Sequence, residues 1–220
     1  MKEAYTFDYL PGTDIYLYQH KEMFRCNTDT ALLGHFMKIR KSDTVLDIGT
    51  NNGALLLYAM QATPKHMIGV DINEEACALA RYNLAYHKQT ADILHGDILT
   101  MQLPSVSCIV CNPPYFKVSS QKQVNQNENV SNARHEMHLD LQALLQKCKC
   151  LLHDRGRLYM VHRADRFIDL ACMMRSADLE IKQVQFVYDE DKEDARSVLI
   201  EAMKRGKPQC RILPPKWIKR

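Results

Sequence analysis

Long apolar runs are missing from this 220-residue chain. None approaches the roughly 20 apolar residues of a bilayer-spanning helix, so no such helix is expected. The first residues, Met1-Lys2-Glu3-Ala4-Tyr5-Thr6-Phe7-Asp8, lack the apolar stretch of a secretory signal and carry acids that transit peptides avoid. A cytoplasmic protein is the expectation. Glycine and proline are scarce, at 8 each, which excludes collagen-like and low-complexity chains. The phosphate-cradling pattern G-x-G-x-x-G is absent, which makes a dinucleotide the poorer expectation for a cofactor. The zinc pattern H-E-x-x-H is absent too. His135-Glu136-Met137-His138 sets its histidines three apart, and no third ligand accompanies them. The 8 cysteines are diluted in a chain too long for a secreted disulfide scaffold. Cys77, Cys108, Cys148 and Cys172 lie in apolar-periodic stretches and are expected as buried thiols. Cys148 and Cys150 face differently on a helix. No metal site is expected.

What is present is the make-up of an ordinary folded domain, 46% hydrophobic and 25% charged. It is long enough to bury a core without staples. The net charge of +3 says less than its distribution. Lys204, Arg205, Lys207, Arg211, Lys216, Lys219 and Arg220 form a tail without acids, and residues 189–194 read Asp-Glu-Asp-Lys-Glu-Asp. Such a tail is either a solvated terminus or a surface for phosphates. Trp217 within it is expected to anchor the terminus on the domain.

Periodicity predicts helices over 28–40, 54–61, 74–87, 139–152 and 164–176. Strands are expected at 44–48, 67–71, 92–95, 107–111, 157–161, 181–188 and 196–203. Alternation of strand and helix over the first two-thirds means a parallel sheet with helices on both faces. The last two strands are joined only by the acidic loop and should pair antiparallel. The expected α/β fold is therefore a Rossmann-like, mostly parallel seven-stranded sheet with one antiparallel strand near an edge. It places ligands at the carboxyl ends of its strands. No linker divides the chain. Residues 1–40 read as an extension with a cap helix, 41–203 as the core and 204–220 as the basic tail. Residues 117–133 are too polar for a core and too long for a plain connection. They are expected to be mobile until a substrate orders them.

Four strand ends carry chemistry. Asp47-Ile48-Gly49-Thr50-Asn51-Asn52-Gly53 closes a strand and opens a helix, where glycines admit a ligand close to the backbone. Asp71 ends the next strand and can accept from both hydroxyls of a ribose, so the pair points to a nucleoside-bearing cofactor. Gly96-Asp97-Ile98 follows the third strand, where Asp97 can accept from an adenine amine and Ile98 can cover a ring face. Asn112-Pro113-Pro114-Tyr115 ends the fourth. Two prolines stiffen that corner. The Asn112 side-chain carbonyl and the Pro113 backbone carbonyl are two fixed acceptors for an amine, and Tyr115 is a surface on which a planar ring can stack.

Together these residues resemble the class I S-adenosylmethionine-dependent methyltransferases, within them the group that methylates planar amino nitrogens. Tyr18-Gln19, Phe24, Asn27-Thr28-Asp29-Thr30-Ala31-Leu32-Leu33, Ala133-Arg134-His135-Glu136 and Pro214-Pro215 narrow the resemblance to the bacterial tRNA1(Val) (adenine(37)-N6)-methyltransferase family. Asn51 stands where that family usually has a second glycine, and asparagine tolerates the left-handed conformation better than most residues. The resemblance implies methyl transfer from S-adenosylmethionine, without a metal, to the N6 amine of a tRNA adenine 3′ of the anticodon. It implies Asp47, Gly49, Asn51, Gly53, Asp71, Ile72, Asp97, Ile98 and Asn112 as cofactor residues, and Asn112, Pro113 and Tyr115 as catalytic ones. Substrate contacts would come from Pro114, Tyr115, Phe116, Lys117, Arg134, Lys216, Lys219 and Arg220. A release-factor glutamine and an rRNA guanine are the rival substrates, and an RNA-recognition module without catalysis is the rival from another class. A monomer is the favoured oligomeric state, which the sequence does not fix.

Overall fold

A computed structural model describes residues 4–113 and 141–219. The chain opens with a hairpin, β1 (Tyr5–Tyr9) and β2 (Tyr16–His20), inside the stretch expected as an undivided extension. Then follow α1 (Thr28–Phe36), β3 (Thr44–Ile48), α2 (Ala54–Met60), β4 (His66–Asp71), α3 (Glu74–Tyr86), β5 (Asp92–His95) and β6 (Val106–Cys111). Residues 141–151 form the described part of helix α4. The chain ends with β7 (Leu152–Arg163), α5 (Phe167–Ser176), β8 (Leu179–Asp189), β9 (Ser197–Lys204), β10 (Arg211–Ile212) and β11 (Lys216–Ile218). None of the helices among the described residues is long and apolar enough to cross a membrane.

The main sheet runs β10-β8-β9-β7-β6-β3-β4-β5, with β11 also on β8. Every pairing in it is parallel except the two made by β9. Alternate strand residues feed two cores, as the period of two requires. Val45, Cys108, Val110, Tyr159 and Val161 join the hairpin, α1, α2 and α3 on one face. Leu46, Ile109, Cys111, Leu158 and Met160 meet Leu145 and Cys148 of α4 and Leu170 and Met174 of α5 on the other. Cys108 and Cys111 stand in C-x-x-C spacing yet face opposite sides of β6, so they cannot share a ligand. Cys172, expected to be buried, is exposed instead, on the outer side of α5.

Three further expectations are corrected. The helix predicted over 28–40 stops at Phe36, where Met37 turns extended at ψ 141°. The chain after it is used for other bonds. The Lys38 carbonyl accepts from Arg157, and the Arg40 N–H donates to Asp43 Oδ2 at 2.7 Å. The strand expected over 157–161 begins at Leu152, because Arg155 at φ +63° and a register shift against β6 hide the alternation of its first residues. The basic tail adds two short strands, so the main sheet has nine strands where seven were expected. Pro214 and Pro215 separate them, since proline has no N–H for the ladder.

Beneath the sheet's amino-terminal edge, Asp43 and Arg157 form a buried ion pair. Ser107 Oγ donates to Asp43 Oδ1 at 2.9 Å, and Arg157 also reaches the Tyr159 hydroxyl at 3.1 Å. Removing one charge would leave the other buried without its counter-ion. Asp43→Ala is therefore expected to cost about 3–5 kcal/mol of stability. Urea unfolding measures it, and a loss under about 1 kcal/mol, as for an exposed pair, would contradict this role.

Candidate active site

The site is assembled by strand register. Ile48 pairs with Val70 and with Cys111, and Asp71 pairs with His95. The segments that follow these residues therefore emerge side by side on the carboxyl edge: Gly49–Gly53, Ile72, Gly96-Asp97 and Asn112.

The turn after β3 needs three positive φ angles within five residues. Gly49 has φ +72°, Asn51 +47° and Gly53 +80°. Asparagine accepts this conformation at modest cost. The Gly49 and Thr50 N–H groups both donate to the Val70 carbonyl, at 2.9 and 3.0 Å, which ties the turn to β4. A Cβ added at Gly53 would touch Ala80 of α3 at 3.4 Å, whereas one at Gly49 would meet nothing within 4 Å among the described residues. The outer side of Gly49 is thus open to a ligand.

Asp47 lies under the turn and is buried. Its Oδ2 accepts from Thr50 Oγ1 at 2.9 Å, while Oδ1 has no hydrogen-bond partner among the described residues. Burial, reinforced by the charge of Asp71, raises the pKa to about 7, against a smaller lowering by Thr50. Asp71 is held from both sides. Its Oδ2 accepts the Asn51 N–H at 2.8 Å and its Oδ1 the Asn73 N–H at 2.9 Å. Each oxygen keeps a second lone pair, so one fixed carboxylate faces outward with two acceptor sites. Beside it Ile72 is 72% exposed, a largely uncovered apolar surface. Asp97 is chiefly a turn residue, its Oδ1 accepting from Leu99 N at 2.9 Å, and Ile98 is partly packed on the core. An orphaned buried acid, an open glycine, a fixed diol acceptor and a bare apolar side chain in one row fit a nucleoside cofactor carrying a cationic amine.

Asn112 stands at the end of β6, half-buried, and donates through Nδ2 to Thr30 Oγ1 of α1 at 3.1 Å. Pro113 is buried beside it. Pro114, Tyr115, Phe116, Lys117, Arg134 and Arg220 lie outside the described residues, as does the stretch 117–133. Lys216 and Lys219 are exposed on and just after β11, where Trp217 stacks on Tyr188 at 4.9 Å between ring centroids. Lys219 faces Glu190 of the acidic loop at 3.9 Å. Neither lysine belongs to the row above. Among the described residues, no group of three histidine, cysteine or acidic side chains could hold a metal ion.

Several residues brace the site that carried no role in the sequence reading, Gln19 and Phe24 of the amino-terminal signature among them. Phe24 lends its carbonyl to Asn51 Nδ2. Gln19 Oε1 accepts from Asn52 Nδ2 at 3.2 Å, and Asn83 Nδ2 donates to the Asn52 carbonyl at 2.9 Å. The polar Asn83 amid the apolar spacing of α3 is a further signal legible in the sequence. Its partners, 31 and 65 residues away, are not.

Residues 22–190 match the family model described as "Methyltransferase small domain". A relative from Aliivibrio fischeri, named tRNA1(Val) (adenine(37)-N6)-methyltransferase, is 32% identical over 182 residues, 80% of this chain and 75% of its own. A relative of the same name from a Flavobacteriaceae bacterium is 30% identical over 149 residues, 65% of this chain and 61% of its own. Among solved structures, a 16S rRNA N2 methyltransferase from Thermus thermophilus in complex with AdoMet and guanosine superposes with TM-score 0.65. It shares 16% identity over 91% of this chain and 50% of that one. A ribosomal-protein methylase from Lactobacillus delbrueckii gives TM-score 0.59 at 16% identity, over 81% of this chain and 78% of that one. The fold therefore accompanies both RNA and protein methylation.

The raised pKa of Asp47 makes stability depend on pH in a definite direction. Below the ordinary value of 3.8 the carboxyl is protonated in both states. Between 3.8 and about 7 the unfolded chain ionises first, so the free protein loses stability as pH rises through that window. The loss is at most about 1.4 kcal/mol per pH unit. Asp47→Asn keeps an acceptor for Thr50 and removes this pH dependence. Its stability relative to the parent should rise across the window and level off above it, as urea unfolding at a series of pH values would record. A difference independent of pH would contradict the assignment.

Proposed function

The chain belongs to the methyltransferase small domain family, and on that footing we propose that it methylates the exocyclic N6 amine of an adenine in tRNA, the adenine 3′ of the anticodon. The observation that carries the reading is the coincidence of two things. The described site sets an oriented amide, Asn112, on the edge that holds the cofactor row. The relatives, 30–32% identical over 61–75% of their own length, are named for this reaction. The site fits S-adenosylmethionine, which supplies an electrophilic methyl group when bound. Asp71 would hold its ribose, Ile72 would lie against its adenine, and Asp47 with the Gly49–Gly53 turn would take its amino acid end.

The substrate amine is a weak nucleophile because its lone pair is delocalised into the ring. Asn112 Oδ1 and the Pro113 carbonyl accept its two N–H bonds and favour a nitrogen whose lone pair is localised and aimed. Positive charge passes to the nitrogen as the methyl arrives, and a proton then leaves to solvent. Orientation carries most of the catalysis, and no covalent nucleophile is needed. Tyr115 would stack on the base, a contact worth about 1–3 kcal/mol. An unpaired loop base is easier to extrude than one in a duplex. Lys117 and Arg134, with Lys216, Lys219 and Arg220, would meet the phosphates. The tail's cations support that role, while Glu190 beside Lys219 weakens that one position.

Incubation with labelled cofactor and, separately, tRNA, rRNA and release factor tests the reading, with mass spectrometry of the products. N6-methyladenosine in tRNA is expected. N2-methylguanosine or methylglutamine would replace the reading by a rival one, and no product in any arm would favour a recognition module. Two substitutions separate the roles. Asp71→Ala should weaken binding of S-adenosylhomocysteine in calorimetry by about tenfold or more. Asn112→Ala should abolish transfer and leave that affinity within a few-fold. Unchanged cofactor affinity in the first, or near-parental turnover in the second, would remove that residue from its role.

A further inference from the structure

We propose that Thr30 is a positioning residue that decides which end of the Asn112 amide faces the substrate amine; this rests on the reading of Asn112 as the acceptor. An amide has the same outline either way round, but one end accepts and the other donates. Turned the wrong way, Asn112 would point N–H bonds at the N–H bonds it is meant to receive.

The donors and acceptors around Thr30 leave one solution. Asn27 caps α1, and its Oδ1 accepts the Thr30 backbone N–H at 2.9 Å, which fixes that atom as oxygen. The Thr30 hydroxyl lies 3.1 Å from the same oxygen and donates its single proton there; its other side-chain neighbour, the Cys26 thiol, has a proton of its own to give. With its proton committed, Thr30 Oγ1 can only accept from Asn112 at 3.1 Å, so the Asn112 atom facing it is Nδ2. Oδ1 then points away from α1. Thr30 is 5% exposed, so water cannot substitute for the hydroxyl.

The helix turn carrying Thr30 is pinned as well. Neighbouring Asp29, equally buried, accepts from Ser197 Oγ of β9 at 3.1 Å and lies 3.5 Å from Arg196. A shift of α1 relative to the sheet would break these bonds, so Thr30 presents its lone pair to Asn112 from a fixed place. The relay Asn27–Thr30–Asn112 thus passes a choice of proton direction from a helix cap to the reacting edge.

Thr30→Val keeps the shape and deletes the relay, and Thr30→Ser restores it. The measurements are kcat and KM for tRNA with saturating S-adenosylmethionine, calorimetry with S-adenosylhomocysteine, and the melting temperature. Thr30→Val should lower kcat about tenfold or more while KM and cofactor affinity stay within about threefold, and Thr30→Ser should keep kcat within about threefold. Parental kcat in Thr30→Val, or equal losses in the serine and valine variants, would overturn the inference. Should the valine variant not fold, Thr30→Ala takes its place: a tenfold loss of kcat supports the relay and parental kcat overturns it. The underlying reading fails separately. An active Asn112→Ala overturns the role of Asn112, whereas an inactive Asn112→Ala beside an unimpaired Thr30→Val overturns only the relay.

Discussion

The register of β3 between β4 and β6 is the constraint on which the site depends. Ile48 meets Val70 on one side and Cys111 on the other. Because side chains alternate, a slip of one residue would exchange the two faces of the strand. Leu46 and Ile48 would leave the core they share with α4 and α5, and the buried Asp47 would enter it. Two apolar cores thus enforce where the chain breaks out of the sheet. The glycine turn, Asp71 and Asn112 inherit their places from that packing. None of them contributes much to it.

The Gly49–Gly53 turn is also braced from the opposite side, by the amino-terminal hairpin. Gln19 bonds Asn52 and the Cys26 N–H, Phe24 bonds Asn51, and Asn83 of α3 bonds Tyr18 and Asn52. Backbone in the left-handed region is costly for asparagine unless its surroundings hold it. Here Asn51 is held by Asp71 through its N–H and by Phe24 through its side chain. The missing second glycine is compensated by contacts that begin almost thirty residues upstream. The hairpin is in turn secured by its outward rings, with Phe7 4.6 Å from Tyr18 and 5.3 Å from Tyr16, and Tyr18 5.2 Å from Tyr82 of α3.

Much of the fold could be read from residue order, because each buried parallel strand is a short apolar run and each helix has a clean period. Strand ends at Asp71 and Cys111 were legible to the residue for the same reason. What escaped was set by partners distant in sequence. The hairpin inverts the usual alternation: in Tyr-Thr-Phe-Asp-Tyr the aromatic side chains are the exposed ones and Thr6 and Asp8 the more covered, so apolar residues do not mark the core there. The bulge at Arg155 broke the alternation that would have announced the start of β7. Asp47, Asp71 and Asn112 could be given roles from motif and strand position, whereas Thr30, quoted within the Asn27–Leu33 signature, could not. Its bond to Asn112 spans 82 residues, and a threonine near a helix start reads first as part of a cap.

The strands added by the tail bear on how the protein behaves in a crowded solution. β8 would otherwise border the sheet along its eleven residues, leaving the N–H and C=O groups that face away from β9 unpaired, a ready template for another chain's strand. The tail covers that row with two pieces too short to recruit a strand themselves, and the prolines between them deny any incoming backbone a continuous ladder. The lysines and arginines along the same segment add mutual repulsion between copies. A chain cut before residue 211 would keep its reacting edge and lose this cover, so self-association would be the first property to change.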